Sequence, residues 1–283
     1  FKPHPPTGQS KLVPIPLPSS IAGKVSVVVP CHNEERNVGS MVHGLVTLYG
    51  SAIREIVLVD DNSKDGTAAA IATLARKDPR VRPVYRKPPN GVGRAISDGI
   101  RATTGEYVLT LDSDFQHILP EIREMFEAAA EGYDVAVGSR FSPRSILRSY
   151  PYQKLLVNRC FNGLAQLLLR GRSRDLPNNC KMISGNVARS LAMREPGFAI
   201  NAETGLLPLL LGCRVKEVPV SWLGRSYTMG SSSFRVWKVG MGYIGVLWRV
   251  ALARYLGKGP YARVALRFRT RSRKASRAFV TSR

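Results

Sequence analysis

The chain runs out of acid long before it ends. No Asp or Glu follows Glu217, whereas the remaining stretch carries fourteen Lys or Arg. Across all 283 residues, 42 basic side chains stand against 20 acidic ones, a formal charge of +22. That surplus implies a polyanionic partner: nucleic acid, an anionic membrane or phosphorylated substrates. Cysteine is sparse as well. Cys31, Cys160, Cys180 and Cys213 stand far apart, with no CxxC pair and no His at zinc-ligand spacing. This argues against a zinc module or a disulfide framework and suits reduced, small buried residues of a cytosolic protein. Long apolar runs are missing too. The stretch Val239–Trp248 is ten uncharged residues with three glycines, and a spanning helix needs roughly 20. Neither a bilayer crossing nor a secretory signal is expected.

What is present begins with a proline-rich stretch, residues 1–23, which reads as an extended arm. From Lys24 the pattern turns regular. Short β-branched runs, "KVSVVVP", "EIVLVDD", "VRPVYR", "EYVLTLD" and "YDVAVGSR", alternate with helical stretches near 36–49, 66–77, 92–103 and 119–131. Pro120 falls in the first turn of the last of these, where a missing N–H costs nothing. Such alternation predicts βαβ units and a mostly parallel sheet with flanking helices, an α/β fold. Beyond Arg140 the regularity breaks. A long helix over Tyr152–Arg170, a short strand near Lys181–Ser184, a helix over Ala202–Leu211 and a strand in "RVKEVPVSW" follow.

In parallel sheets the ligand sits outside the carboxyl ends of the strands. "PCHNEE" follows the first strand, "DDNSKDGT" the second, "DSDFQH" the fourth and "GSR" the fifth, so these clusters should face one crevice. Asp112 and Asp114 alternate with Ser113 and can both point into it. Two carboxylates so close imply a cation, and Mg²⁺ or Mn²⁺ usually takes one or two carboxylates plus substrate phosphates. Gln116 could add a neutral oxygen, while His117 is expected only to cap the turn. Asp60 or Asp61 could accept hydrogen bonds from a base or ribose, and Glu34 is a further candidate. Asp65-Gly66-Thr67 reads as a turn and helix cap, and "NGVGR" is no P-loop because no GK[ST] follows.

The ordered motifs "VVVPCHNEE", "VDDNSKDGT", "NGVGRAISDGI", "LDSDFQH..PE" and "VGSRF" resemble glycosyltransferase family 2 over roughly Lys24 to Phe234. Within it they are most similar to the polyprenyl-phosphate sugar synthases. The resemblance implies a GT-A (nucleotide-diphospho-sugar transferase) fold, a GDP- or UDP-hexose donor, a divalent metal and inverting transfer to a polyprenyl or dolichyl phosphate. By position it places Pro30, His32, Glu34 and Asp60, with Asp61, around the base, and Asp112, Asp114 and Gln116 on the metal. It assigns Arg140 and Arg159 to the acceptor phosphate and makes them, with Asp114, the catalytic set. Lys181, Glu203, Arg225 and Ser232 complete its substrate-binding set. The chain departs from the family at Asn178-Asn179-Cys180-Lys181, where Ser-Gly is usual, and at Gly230–Ser233, where a phosphate-binding Lys is missing.

A phosphate acceptor is already anionic and needs aiming by arginine rather than a general base. A soluble enzyme glycosylating a hydroxyl, the alternative, would need a base, for which Glu203 is the one candidate. Residues 24–233 are therefore expected to form the catalytic domain. Residues 234–283, with Trp237, Tyr243, Trp248 and Tyr255 among Lys238, Arg249 and Arg254, are expected to form amphipathic basic helices and a polybasic tail at an anionic membrane surface. The expected location is peripheral, on a cytoplasmic face. Nucleic acid is not expected, since no RNP-type or zinc signature accompanies the charge.

Overall fold

Val25–Cys31 (β1) is buried along almost its whole length, as a strand covered on both faces must be. In a computed structural model, described for residues 12–114, 117–169, 173–224, 236–266 and 268, it lies inside a seven-stranded sheet. The other strands are Ile53–Asp60 (β2), Val81–Tyr85 (β3), Tyr107–Thr110 (β4), Val135–Ser139 (β5), Lys181–Ser184 (β7) and Val215–Pro219 (β8). Leu147–Arg148 (β6) and Trp222–Leu223 (β9) pair separately. The helices are Glu35–Tyr49 (α1), Thr67–Lys77 (α2), Val92–Ala102 (α3), Arg123–Ala130 (α4), Tyr152–Leu169 (α5), Gly185–Ser190 (α6), Ile200–Leu211 (α7) and Val236–Tyr255 (α8).

The sheet order is β3-β2-β1-β4-β7-β5-β8. β1, β2, β3 and β4 run parallel, as the sequence pattern predicts, and β8 runs parallel to β5. The exception is β7, which lies antiparallel to both β4 and β5. It returns from the far side of the sheet, so the loop before it, Asp175–Cys180, arrives at the carboxyl ends of β4 and β5. One departure in strand direction thereby supplies a wall of the crevice.

Two apolar layers sandwich the sheet. One gathers α1, α2 and α4 around Tyr49 and Phe126, whose rings stack at 4.6 Å. The other gathers α3, α5, α6, α7 and α8. α8 packs into that second core, so one face of the stretch expected to form an interfacial tail from 234 is buried against the catalytic domain. Val239, Tyr243, Val246, Leu247 and Val250 are buried against α5 and α7. Arg249 turns inward to Glu195. Tyr261, beyond α8, is fully buried as well. The side chains of Trp237 and Lys238, residues 1–11 and the tail from 269 lie outside the described residues.

α3 lies close over β1 and β2 because Gly99 leaves no side chain between them. A Cβ there would sit 2.5 Å from Val28 Cγ1 and 2.9 Å from Val59 Cγ2. Both neighbours are β-branched and stiff. Gly99→Ala should lower stability by about 1–3 kcal/mol despite alanine's better helix propensity. Urea unfolding checks this; an unchanged midpoint would show that α3 can lift from the sheet.

Candidate active site

The loops after β1 and β2 are stitched together at the sheet's carboxyl edge. Asn33 and Asn62 both take left-handed backbone, at φ 57°, a conformation that Asn tolerates better than most residues. Asn33 Oδ1 accepts the Lys64 N–H at 2.8 Å, and Asn33 N–H donates to Ser63 Oγ at 3.0 Å. Beneath them opens a cavity of about 800 Å³ that collects all four clusters singled out in the sequence.

One end is lined by Pro30, His32, Glu34, Asp61, Asn90 and Gly91. Of the two candidate aspartates, Asp61 lies on this wall. Its carboxylate accepts the Gly91 N–H at 2.6 Å and pairs with Arg86, which also binds Asp98. Its carbonyl lies 3.0 Å from His32 Nδ1 and accepts from Asn90 Nδ2 at 2.9 Å. Asp60 lies outside the wall, closing its own turn by accepting the Ser63 N–H at 3.2 Å.

Asp112 and Asp114 line the middle of the cavity. Asn179 Nδ2 donates to Asp112 Oδ1 at 2.8 Å and so orients the first carboxylate. Two carboxylates on one wall could hold Mg²⁺ or Mn²⁺, cations that take one or two carboxylates and complete their shell with substrate phosphates. Among the described residues no group of three or more His, Cys, Asp or Glu side chains forms a cage. Gln116 lies outside the described residues, as do Arg225 and Ser232. His117 is not a turn cap. Its Nε2 lies 3.0 Å from Asn178 Oδ1, and burial, aided by Arg140, pushes its pKa down to about 4, so the ring is neutral.

The far end is aromatic and basic, lined by Arg140, Tyr150, Lys154, Val157, Trp222 and Tyr243. Arg140 is held by Asp175, a fully buried carboxylate that the sequence reading missed. Asp175 accepts from Arg140 Nε at 2.7 Å, Nη2 at 2.9 Å and the backbone N–H at 3.0 Å, and from Asn158 Nδ2 at 2.8 Å. Burial disfavours both charges, but each partner outweighs it, lowering the Asp175 pKa and raising that of Arg140. The signal for Asp175 was a lone acid inside the basic "RGRSRD". The Arg140 guanidinium also lies 5.4 Å from the Tyr150 ring, which meets Trp222 edge-on at 4.9 Å.

Besides Asp60, three more expected residues fall outside the cavity wall. Arg159 stacks on Phe141, at 4.6 Å, and donates to the Arg174 carbonyl at 3.2 Å. Lys154, five residues earlier on α5, stands in the wall instead. Lys181 is fully buried, donating to the carbonyls of Asn178 and Asn201 and to Thr204 Oγ1. Three acceptors match the three N–H bonds of an ammonium, and burial pushes its pKa down to about 7. It therefore braces the cavity wall from behind. Glu203 is also fully buried, bound to the backbone of Arg194 and Glu195 and to the Tyr261 hydroxyl. Burial raises its pKa against those bonds.

Residues 26–191 match the glycosyl transferase family 2 domain. The polyprenol monophosphomannose synthase of Mycolicibacterium smegmatis is 28% identical over 73% of this chain and 80% of its own length. A dolichol-phosphate mannosyltransferase of Pyrococcus furiosus is 30% identical over 48% of this chain and 38% of that protein. The crystal structure of a glucosyl-3-phosphoglycerate synthase from Mycobacterium tuberculosis with Mn²⁺, UDP and glucosyl-3-phosphoglycerate shares the fold. It superimposes with a TM-score of 0.59 at 18% identity, covering 90% of this chain and 86% of that one. The strand order, the carboxylate pair at the end of β4 and the matched domain agree: the chain is a glycosyltransferase of family 2, built on the GT-A fold.

Proposed function

We propose that this glycosyltransferase moves a hexose from a nucleotide-sugar donor to a polyprenyl phosphate at a membrane surface. The observation that carries the reading is the division of one cavity into an acidic end and an aromatic-basic end. The nucleotide takes the His32–Asp61–Gly91 end and the acceptor phosphate takes Arg140 and Lys154. The anomeric carbon then lies near Asp112 and Asp114.

A divalent cation on Asp112 and Asp114, with Gln116 as the expected third ligand, would neutralise the diphosphate as it departs. Arg140, fixed by Asp175, aims the acceptor oxygen and stays charged throughout. Its geometry is set before substrate arrives, which is what makes electrostatic stabilisation effective. A phosphate nucleophile needs no base. The hydroxyl-acceptor alternative does, and Glu203, its one candidate, lies outside the cavity wall with its oxygens engaged by Arg194, Glu195 and Tyr261. The relatives named for polyprenol and dolichol phosphate support the same acceptor class.

Membrane contact is supported by the outer faces of α5 and α8. These helices run parallel: Gly240 lies against Val157, Tyr243 against Phe161 at 5.2 Å, and the Tyr255 hydroxyl against the Leu168 carbonyl. Both leave apolar ridges exposed, Tyr152, Leu156, Leu164 and Leu167 on α5, and Met241, Ile244, Trp248 and Tyr255 on α8. Trp248 is 64% exposed and Leu167 75%. α5 also supplies Lys154 and Val157 to the acceptor end, so a lipid tail leaving the cavity would meet this apolar surface. The acid-free sequence after Glu217 adds attraction to anionic headgroups.

Asp114→Asn should cut transfer by about a hundredfold or more while leaving the melting temperature near that of the parent. The check is extraction of glycolipid formed from a panel of nucleotide sugars and a short polyprenyl phosphate. Undiminished product would remove the aspartate pair from the mechanism. Leu164→Glu with Trp248→Glu should reduce co-sedimentation with phosphatidylglycerol vesicles several-fold, because each buries apolar area in the interface. Transfer to a water-soluble short-chain acceptor should persist. Unchanged sedimentation would move the membrane contact elsewhere.

A further inference from the structure

Glu203 is a carboxylate at the centre of an apolar layer, completely shielded from solvent. An uncompensated charge there would be costly, yet its bonds among the described residues go to one irregular segment and to Tyr261 beyond α8. Its oxygens accept the Arg194 N–H at 2.9 and 3.0 Å and the Glu195 N–H at 2.9 Å, and Tyr261 donates its hydroxyl to Oε1. The Glu195 side chain pairs with Arg249 of α8, whose guanidinium lies 5.9 Å from the Tyr261 ring. Residues 194 and 195 are thus gripped twice, from α7 through Glu203 and from α8 through Arg249.

The gripped segment leads directly to the donor end of the cavity. The Pro196 carbonyl accepts the N–H groups of Gly93 and Arg94, at 3.0 and 3.3 Å, satisfying amides that the start of α3 would otherwise leave unpaired. The fit leaves no slack. A Cβ on Gly91 would lie 2.3 Å from the Pro196 oxygen, and one on Gly93 2.2 Å from the Glu195 oxygen. Gly91 has φ 158° and donates its N–H to the Asp61 carboxylate. Gly91 and Asp61 form part of the donor wall, with Gly197 and Phe198 on the same cavity.

We infer that Glu203 and Tyr261 are positioning residues for the nucleotide-sugar end of the cavity, acting through residues 194–197 on Gly91 and Asp61. The inference rests on the assignment of that end to the donor nucleotide. Glu203 then takes no part in proton transfer; it holds a wall in place. The C-terminal segment beyond α8 becomes a working part of the donor site, because Tyr261 supplies the hydroxyl that completes Glu203's set of donors.

The test uses the full-length chain and two conservative variants, Tyr261→Phe and Glu203→Gln, with Glu203→Leu as the severe comparison. Far-UV circular dichroism establishes that each is folded at the assay temperature. Calorimetric titration with UDP and with GDP, both in the presence of Mn²⁺, reads the donor site without chemistry. Each conservative variant should weaken nucleotide binding about five- to tenfold, the effect of one lost net hydrogen bond. Donor KM should rise in proportion, with kcat and acceptor KM within about twofold of the parent, and Glu203→Leu should be worse than Glu203→Gln. Lowered melting temperature with unchanged nucleotide affinity would overturn the inference by making both residues purely structural. So would a hundredfold fall in kcat at constant donor KM, which would put Glu203 in the chemistry. A parent chain that binds neither nucleotide would instead overturn the donor assignment itself, and this inference with it.

Discussion

The site depends on one buried carboxylate. Asp175 has no solvent access, and four hydrogen bonds from Arg140 and Asn158 satisfy it. These bonds join the end of β5, the middle of α5 and the loop entering β7. Removing one partner of such a pair costs about 3–5 kcal/mol, because the other charge is stranded. The same bonds that fix the segments also aim Arg140 into the cavity. Stability and the geometry of the acceptor end are therefore one property here. A cation free to choose its rotamer would lose entropy on meeting each substrate; this one has already lost it in folding.

Around that anchor the crevice is assembled from loops that brace one another. Lys181 holds Asn178 and Asn201 from behind, Asn178 meets His117, and Asn179 meets Asp112. Asn90, Gly91 and His32 all gather on Asp61. Each of these side chains thus has a second group setting its direction. This is the condition for preorganised electrostatics, since a dipole that must reorient during reaction gives back much of its benefit.

Periodicity carried the first half of the fold, where each buried strand is followed by an amphipathic helix. It carried less beyond Arg140, because β7 is short and its direction is decided by pairing with β4 and β5 rather than by its residues. The carboxylates Asp112 and Asp114 were legible because isolated acids at a strand end have few other uses. Asp175 was not, since its meaning lies in a partner 35 positions away. The family resemblance reads Lys181 and Glu203 as site residues, but folding turns both into the interior, where each braces backbone. Nor does composition tell an interfacial helix from a core one. α8 has a buried face and an exposed apolar one, with Tyr243 and Val246 inward and Met241 and Trp248 outward.

The reversed strand β7 also sets an order of events during synthesis. β1 to β4 can form their parallel ladder once residue 110 is available, but β4 then ends the sheet with its outer backbone groups unpaired. Its partner starts at Lys181, some seventy residues later. In that interval Tyr107–Thr110 is an open apolar edge, the kind of surface to which a second nascent chain can add. The residues made meanwhile include α4, which covers one face of the sheet but not its edge. The strand that brings Asn179 to the carboxylate pair is thus also the one that covers the edge of β4, and assembly of the site coincides with the loss of that open edge.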